Sequence, residues 1–69
     1  MDMAELEKRF TYHPPKGNQG EKYELIRSKA HQLAFDLVNM CPDSRELSLA
    51  ITHLEDAVMW ANAAIARRE

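Results

Sequence analysis

From Tyr23 to Met40 the apolar residues Tyr23, Ile26, Ala30, Leu33, Leu37 and Met40 recur at three- and four-residue steps. That spacing lays one stripe along one side of a helix. A second stripe, Leu47, Ile51, Leu54, Val58, Ala61 and Ile65, follows at heptad-like spacing. Between the two stands Cys41-Pro42-Asp43-Ser44, in which Pro42 disfavours a helical Cys41 and so ends the first helix. So short a connection forces the two helices to pack antiparallel. The expected fold is all-α: a single domain built as a two-helix hairpin, with helices over 21–41 and 43–67 and an N-terminal arm and loop over 1–20. Asn18 with Glu21, and Asp43 with Glu46, have the spacing of capping boxes at the two helix starts.

The arm is less regular. Met1 to Lys8 has weak helical character but is too short to hold alone. Phe10 to Gly20 reads as an ordered loop, in which Pro14-Pro15 fixes an extended path and Gly17 and Gly20 allow the turn into the next element.

Beyond its stripe, the second helix also carries Leu49, Ala50, Ala57, Met59, Trp60, Ala63, Ala64 and Ala66. A helix apolar around most of its circumference must be buried on more than one side, which one partner helix cannot do. A chain of 69 residues is also short of core. Its single cysteine, Cys41, cannot form an intramolecular disulfide, and no Cys/His set has metal-ligand spacing. A homo-oligomer is therefore the expected source of the missing core, with Trp60 in its interface.

A net charge of −2 and a pI near 5.9 argue against a protein that coats DNA or RNA. They leave room for a small anionic ligand, which needs only a few placed cations. No stretch reads as a membrane span or a signal peptide. The lone thiol fits a reducing compartment.

The candidate chemistry is concentrated in Arg9-Phe10-Thr11-Tyr12-His13-Pro14-Pro15-Lys16-Gly17, outside both stripes. Tyr12 offers a π-face on which a base can stack, and Arg9, His13 and Lys16 are cations or donors for phosphate oxygens. Tyr12 could equally pack the arm onto the hairpin, His13 could cap local backbone, and Lys16 could be solvated. Phe10 reads as an anchor for the arm. Arg27 flanks the first stripe and can face a pocket or pair with Glu24; the residues alone leave both open, with Lys29 and Lys22 as substitutes. Asn62 and Arg67 stand five apart and do not share a face well, and Arg67 and Arg68 can simply complement the helix C-terminus. His31 and His53 lack a second ligand at i+4, Cys41 has no base placed beside it, and Gly17-Asn18-Gln19-Gly20 lacks the rest of a phosphate-binding loop. The carboxylates are scattered as on solvated faces. No active site and no cofactor is indicated.

Arg9 to Pro15, read with Cys41-Pro42-Asp43-Ser44-Arg45-Glu46-Leu47-Ser48-Leu49-Ala50 and Val58-Met59-Trp60-Ala61-Asn62-Ala63-Ala64-Ile65-Ala66-Arg67, resembles the phage anti-CBASS sponge family. CBASS is cyclic-oligonucleotide-based antiphage signalling, and the same small helical-hairpin domain occurs in sponges that counter Thoeris defence. Three segments match in order, from about Arg9 to Arg67.

The resemblance implies a non-enzymatic homo-oligomer, a hexamer, that sequesters cyclic di- or trinucleotide messengers intact and so blocks CBASS effectors in the cytoplasm of an infected bacterium. It favours stacking for Tyr12 and phosphate contact for Arg27, with His13, Lys16 and Lys29 as further candidates. It also raises a second, trinucleotide site at Asn62 and Arg67, where chains converge. Other readings stay open: a sponge for cyclic ADP-ribose isomers, a protein-interaction hairpin, a small nucleic-acid-binding regulator, and an enzyme that degrades cyclic nucleotides.

Overall fold

Three α-helices and no strand make up the computed structural model, which describes residues 1–69: α1 (Met3–Phe10), α2 (Gln19–Met40) and α3 (Arg45–Arg68). Helices α2 and α3 form the antiparallel hairpin. Pro42 stops α2, whose last turn is closed by the Cys41 amide donating to the Leu37 carbonyl at 2.9 Å.

The cap of α3 differs from the expected one. Ser44, not Asp43, is the N-cap, and its Oγ accepts from the Leu47 amide at 3.1 Å. Ser44 has the extended backbone that a cap needs, with φ −167° and ψ 167°. At the start of α2, Asn18 occupies the N-cap position but makes no side-chain cap bond. Gln19 does the tying there. Its Oε1 accepts from the Lys16 amide at 3.2 Å, and its Nε2 donates to the Ile65 carbonyl at 3.4 Å. The turn before it rests on Gly17, at φ 58°, where only glycine is unstrained. Gly20, expected in that turn, lies inside α2.

The stripe of α3 faces α2 along its whole length. The stripe of α2 is shifted from the expected one: Gln19, Tyr23, Ile26, Ala30, Ala34 and Leu37 face inward, while Leu33 and Met40 are exposed. Those inward steps average 3.6 residues, so a straight helix keeps them on one line, whereas a strict 3-4 alternation drifts off it. Small side chains at Ala30 and Ala34 also suit close approach to Ile51, Leu54 and Val58, with which they share a shallow furrow.

The hairpin alone makes little interior. Leu47, 8% exposed, is its only buried apolar residue, and Gln19, 4% exposed, its only buried polar one. The molecule is a slab of 45 × 29 × 13 Å with a radius of gyration of 15.2 Å. A compact chain of this length would have about 11 Å. Its 5640 Å² of accessible surface compares with about 4,500 Å² for a typical monomer of the same mass. Trp60, two residues from Val58 and so about 200° around the helix, points away from α2 and is 68% exposed.

Helix α1 has no buried residue. Asp2 caps it, accepting from the Glu5 amide at 2.8 Å, and Thr11 Oγ1 closes its far end on the Glu7 carbonyl at 2.6 Å. What docks it is polar: Arg68 donates from both terminal nitrogens to Glu5, at 2.6 and 3.1 Å. A helix too short to persist alone is thus held by the last turn of α3.

Candidate functional site

Where the loop after α1 crosses the open end of the hairpin it leaves a groove of about 460 Å³. Arg9, Thr11, Tyr12, His13 and Pro15 form its rim, Tyr23 and Arg27 of α2 one wall, and Asn62, Ala63, Ala66 and Arg67 of α3 the other. Each position follows from local structure. Pro14-Pro15 holds the loop extended across the helix ends, Tyr23 belongs to the first turns of the packed α2 stripe, and Asn62 lies beside the packed stripe of α3.

Three guanidinium groups line this groove and no carboxylate does. Arg27 and Arg67 make no ion pair, so the Arg27–Glu24 pair that the sequence left open does not form. Arg9 is engaged at Nε alone, 3.4 Å from Glu5 Oε1, which leaves both terminal nitrogens without a partner. Glu5 is a strong acceptor at this point. Hydrogen bonds from Arg68, with the Arg68 and Arg9 charges beside it, pull its carboxyl down to about 2 against partial desolvation.

The Tyr12 ring is 79% exposed at the rim and available on its face. His13 donates from Nε2 to the Lys8 carbonyl at 2.7 Å, the local capping role weighed for it above, and this leaves Nδ1 free while its ring still lines the groove. In the wall, the hydroxyl of Tyr23 and Oδ1 of Asn62 are buried without hydrogen-bond partners.

Lys16 and Lys29 do not line the groove. Lys29 is two residues from Arg27, about 200° around α2, so the two cannot address one ligand from one chain. Lys22 is taken by Glu69, at 2.8 Å. Asn62 and Arg67 correct the sequence reading in the other direction. Five residues apart, they lie on adjoining ridges of α3, and the groove is wide enough to take both. Within one chain they therefore share the groove of Tyr12 and Arg27. Tyr23, read from sequence only as a stripe residue, is the wall residue that reading missed; a tyrosine at the edge of an apolar stripe is the signal that was there.

Around the corner of α3, Arg9 and Arg67 also border a second, open groove of about 600 Å³ that carries Phe10, Trp60 and Arg68. Phe10 is 85% exposed there and anchors nothing within its own chain. Cys41 is an exposed free thiol, no cluster of His, Cys, Asp and Glu is placed to hold a metal, and no helix is long and apolar enough to cross a membrane.

Unpaired cations and an exposed ring face make a site suited to holding an anionic, aromatic ligand. In comparison with known proteins, the family model of the Acb2/Tad1 hairpin domain matches residues 3–66. No curated protein and no solved structure matches.

Proposed function

The chain belongs to the Acb2/Tad1 hairpin family, known for sponging cyclic nucleotides and not as enzymes, and on that premise we propose that it captures cyclic di- or trinucleotide messengers and holds them unchanged. The observation that carries this reading is the carboxylate-free groove in which Tyr12 stands with Arg27 and Arg67. Tyr12 stacks a nucleobase, a contact worth about 1–3 kcal/mol. Arg27 takes a phosphodiester through a charge-assisted, bidentate pair, the strongest class of hydrogen bond available to it. His13 contributes at the rim, and Asn62 and Arg67 from the α3 wall. Lys16 and Lys29 reach such a ligand only from a neighbouring copy.

The slab shape and the exposed Phe10 and Trp60 support a homo-oligomer, in the family's case a hexamer, whose chain boundaries close the open groove. Enclosure matters because a sponge acts by slow release. In the cytoplasm of an infected bacterium, the messenger so held no longer activates CBASS effectors. The anti-Thoeris alternative is a cyclic ADP-ribose isomer, which also joins a base to phosphate and so calls on the same chemistry.

The test is native mass spectrometry of the assembled protein with cyclic di-AMP, cyclic di-GMP, 3′,3′-cyclic GMP–AMP, cyclic tri-AMP and cyclic ADP-ribose. Heat release and chromatography of the bound species follow. Integral ligand masses returned intact support the sponge. Linear product points to an enzyme, and no mass gain on a monomer points to a protein-interaction hairpin. Tyr12→Ala and Arg27→Ala must each weaken binding in a correctly assembled oligomer; if neither does, this groove is not the site.

A further inference from the structure

The groove has a guanidinium that neither helix of the hairpin supplies. Arg9 lies in the last turn of α1 yet lines the same groove as Tyr12 and Arg27. One edge of it is fixed, because Nε faces Glu5 Oε1 at 3.4 Å. The other end, with four N–H donors, has no partner in the chain. Glu5 is fixed in turn, because Arg68 grips both of its oxygens from the end of α3. A flexible side chain is thereby held by a relay that starts on the hairpin itself.

Such an arrangement lowers the cost of ordering an arginine on a ligand, since much of its rotamer freedom is already spent. It also explains why a helix with no buried residue is docked by ions: its position sets where Arg9 stands. A surface arginine with only a structural task would turn its terminal nitrogens to its own helix or to Glu5. Here they have no partner, in a residue that lines the groove.

We infer that Arg9 is a third phosphate-binding guanidinium of the groove, held there by Glu5 and Arg68 acting as positioning residues, and that it pairs with a phosphodiester oxygen of the captured cyclic oligonucleotide. The inference rests on the sponge reading above. With Arg27 and Arg67 it gives the groove three guanidinium groups and no carboxylate.

The experiment is titration calorimetry on the assembled protein with the tightest binder of the five-ligand panel, at low and high salt. Arg9→Ala is expected to weaken binding about tenfold or more, the size of a lost charge-assisted hydrogen bond, and to flatten its salt dependence. Arg9→Lys is expected to recover part of the affinity and the salt dependence. Glu5→Gln is expected to weaken binding severalfold in the wild type and by clearly less in Arg9→Ala, because part of its effect runs through Arg9 and the rest through the docking of α1. Should Arg9→Ala not assemble, Arg9→Met keeps the apolar stem without the charge, and its loss of salt dependence reads the same charge. Wild-type affinity and salt dependence in the Arg9 variants, with Arg27→Ala impaired, overturn the inference and leave the sponge standing. Unchanged binding in Tyr12→Ala and Arg27→Ala as well overturns the reading beneath it.

Discussion

The side-chain amide of Gln19 donates across the helix seam to the backbone carbonyl of Ile65, 46 residues away, while its oxygen holds the Lys16 amide. Gln19 is the most buried residue of the chain. Helix start, helix end and the loop that follows Tyr12 are therefore joined through one amide. Gln19→Ala leaves the Lys16 amide without an acceptor and the Ile65 carbonyl with the Glu69 amide alone, and is expected to cost about 1–3 kcal/mol. Thermal denaturation followed by circular dichroism measures it; an unchanged midpoint would mean that water replaces both bonds.

The cap of α3 makes a sharper comparison. Ser44→Ala removes the oxygen that receives the Leu47 amide and is expected to destabilise by about 1 kcal/mol. Asp43→Ala removes no cap bond and should change stability by less than half of that. Paired urea melts of the two variants separate the positions, and the reverse ranking would return the cap to Asp43.

Acid should undock α1. The Glu5 carboxyl is lowered from its ordinary 4.5 to about 2. The folded chain therefore binds this proton more weakly than the unfolded one, and the contribution to stability is complete above the ordinary value. It is lost as pH falls from about 4.5 through about 2. The Glu69 carboxyl, lowered chiefly by its hydrogen bond from Lys22, acts in the same direction at the other clasp. The difference in midpoint between wild type and Glu5→Gln should shrink across that window, and a carboxyl titration of Glu5 by NMR should sit well below a free glutamate. A difference that stays constant to pH 2 would show that the ion pair is not formed in solution.

Trp60 and Leu49 lie on the side of α3 turned away from α2, both exposed. Trp60→Asp is expected to break the proposed oligomer, read as a fall in mass by light scattering, with helix content retained where the hairpin persists. An oligomer that survives this change does not use the outer side of α3.

Much of the fold was legible because it depends on local rules. The heptad-spaced stripe of α3, the stop at Pro42 and the hairpin it enforces are set by residues close in sequence, and all appear as expected. The α2 stripe was misplaced by one residue at Leu33. A larger side chain beside Ala34 outweighs it in any hydrophobic pattern, whereas close packing of two helices prefers the smaller one. The position of α1 was not legible at all. It depends on Glu5 meeting Arg68, 63 residues away, and charges carry no periodicity from which a partner could be read. For the groove, Tyr12, His13, Arg27, Asn62 and Arg67 were named from the sequence, and the structure brings them together. That Lys29 stands on the far side of α2 follows from helical geometry, yet the clustering of cations along the sequence concealed it.

The 13 Å thickness of the molecule is barely more than one layer of helices. A sheet of matter so thin keeps almost no residue for itself. If copies of the chain supply one another's interior, folding and self-recognition become a single equilibrium, and protein concentration takes the place that core size holds in a larger domain. Its melting temperature should then climb with concentration, and dilution alone should act on it as a denaturant.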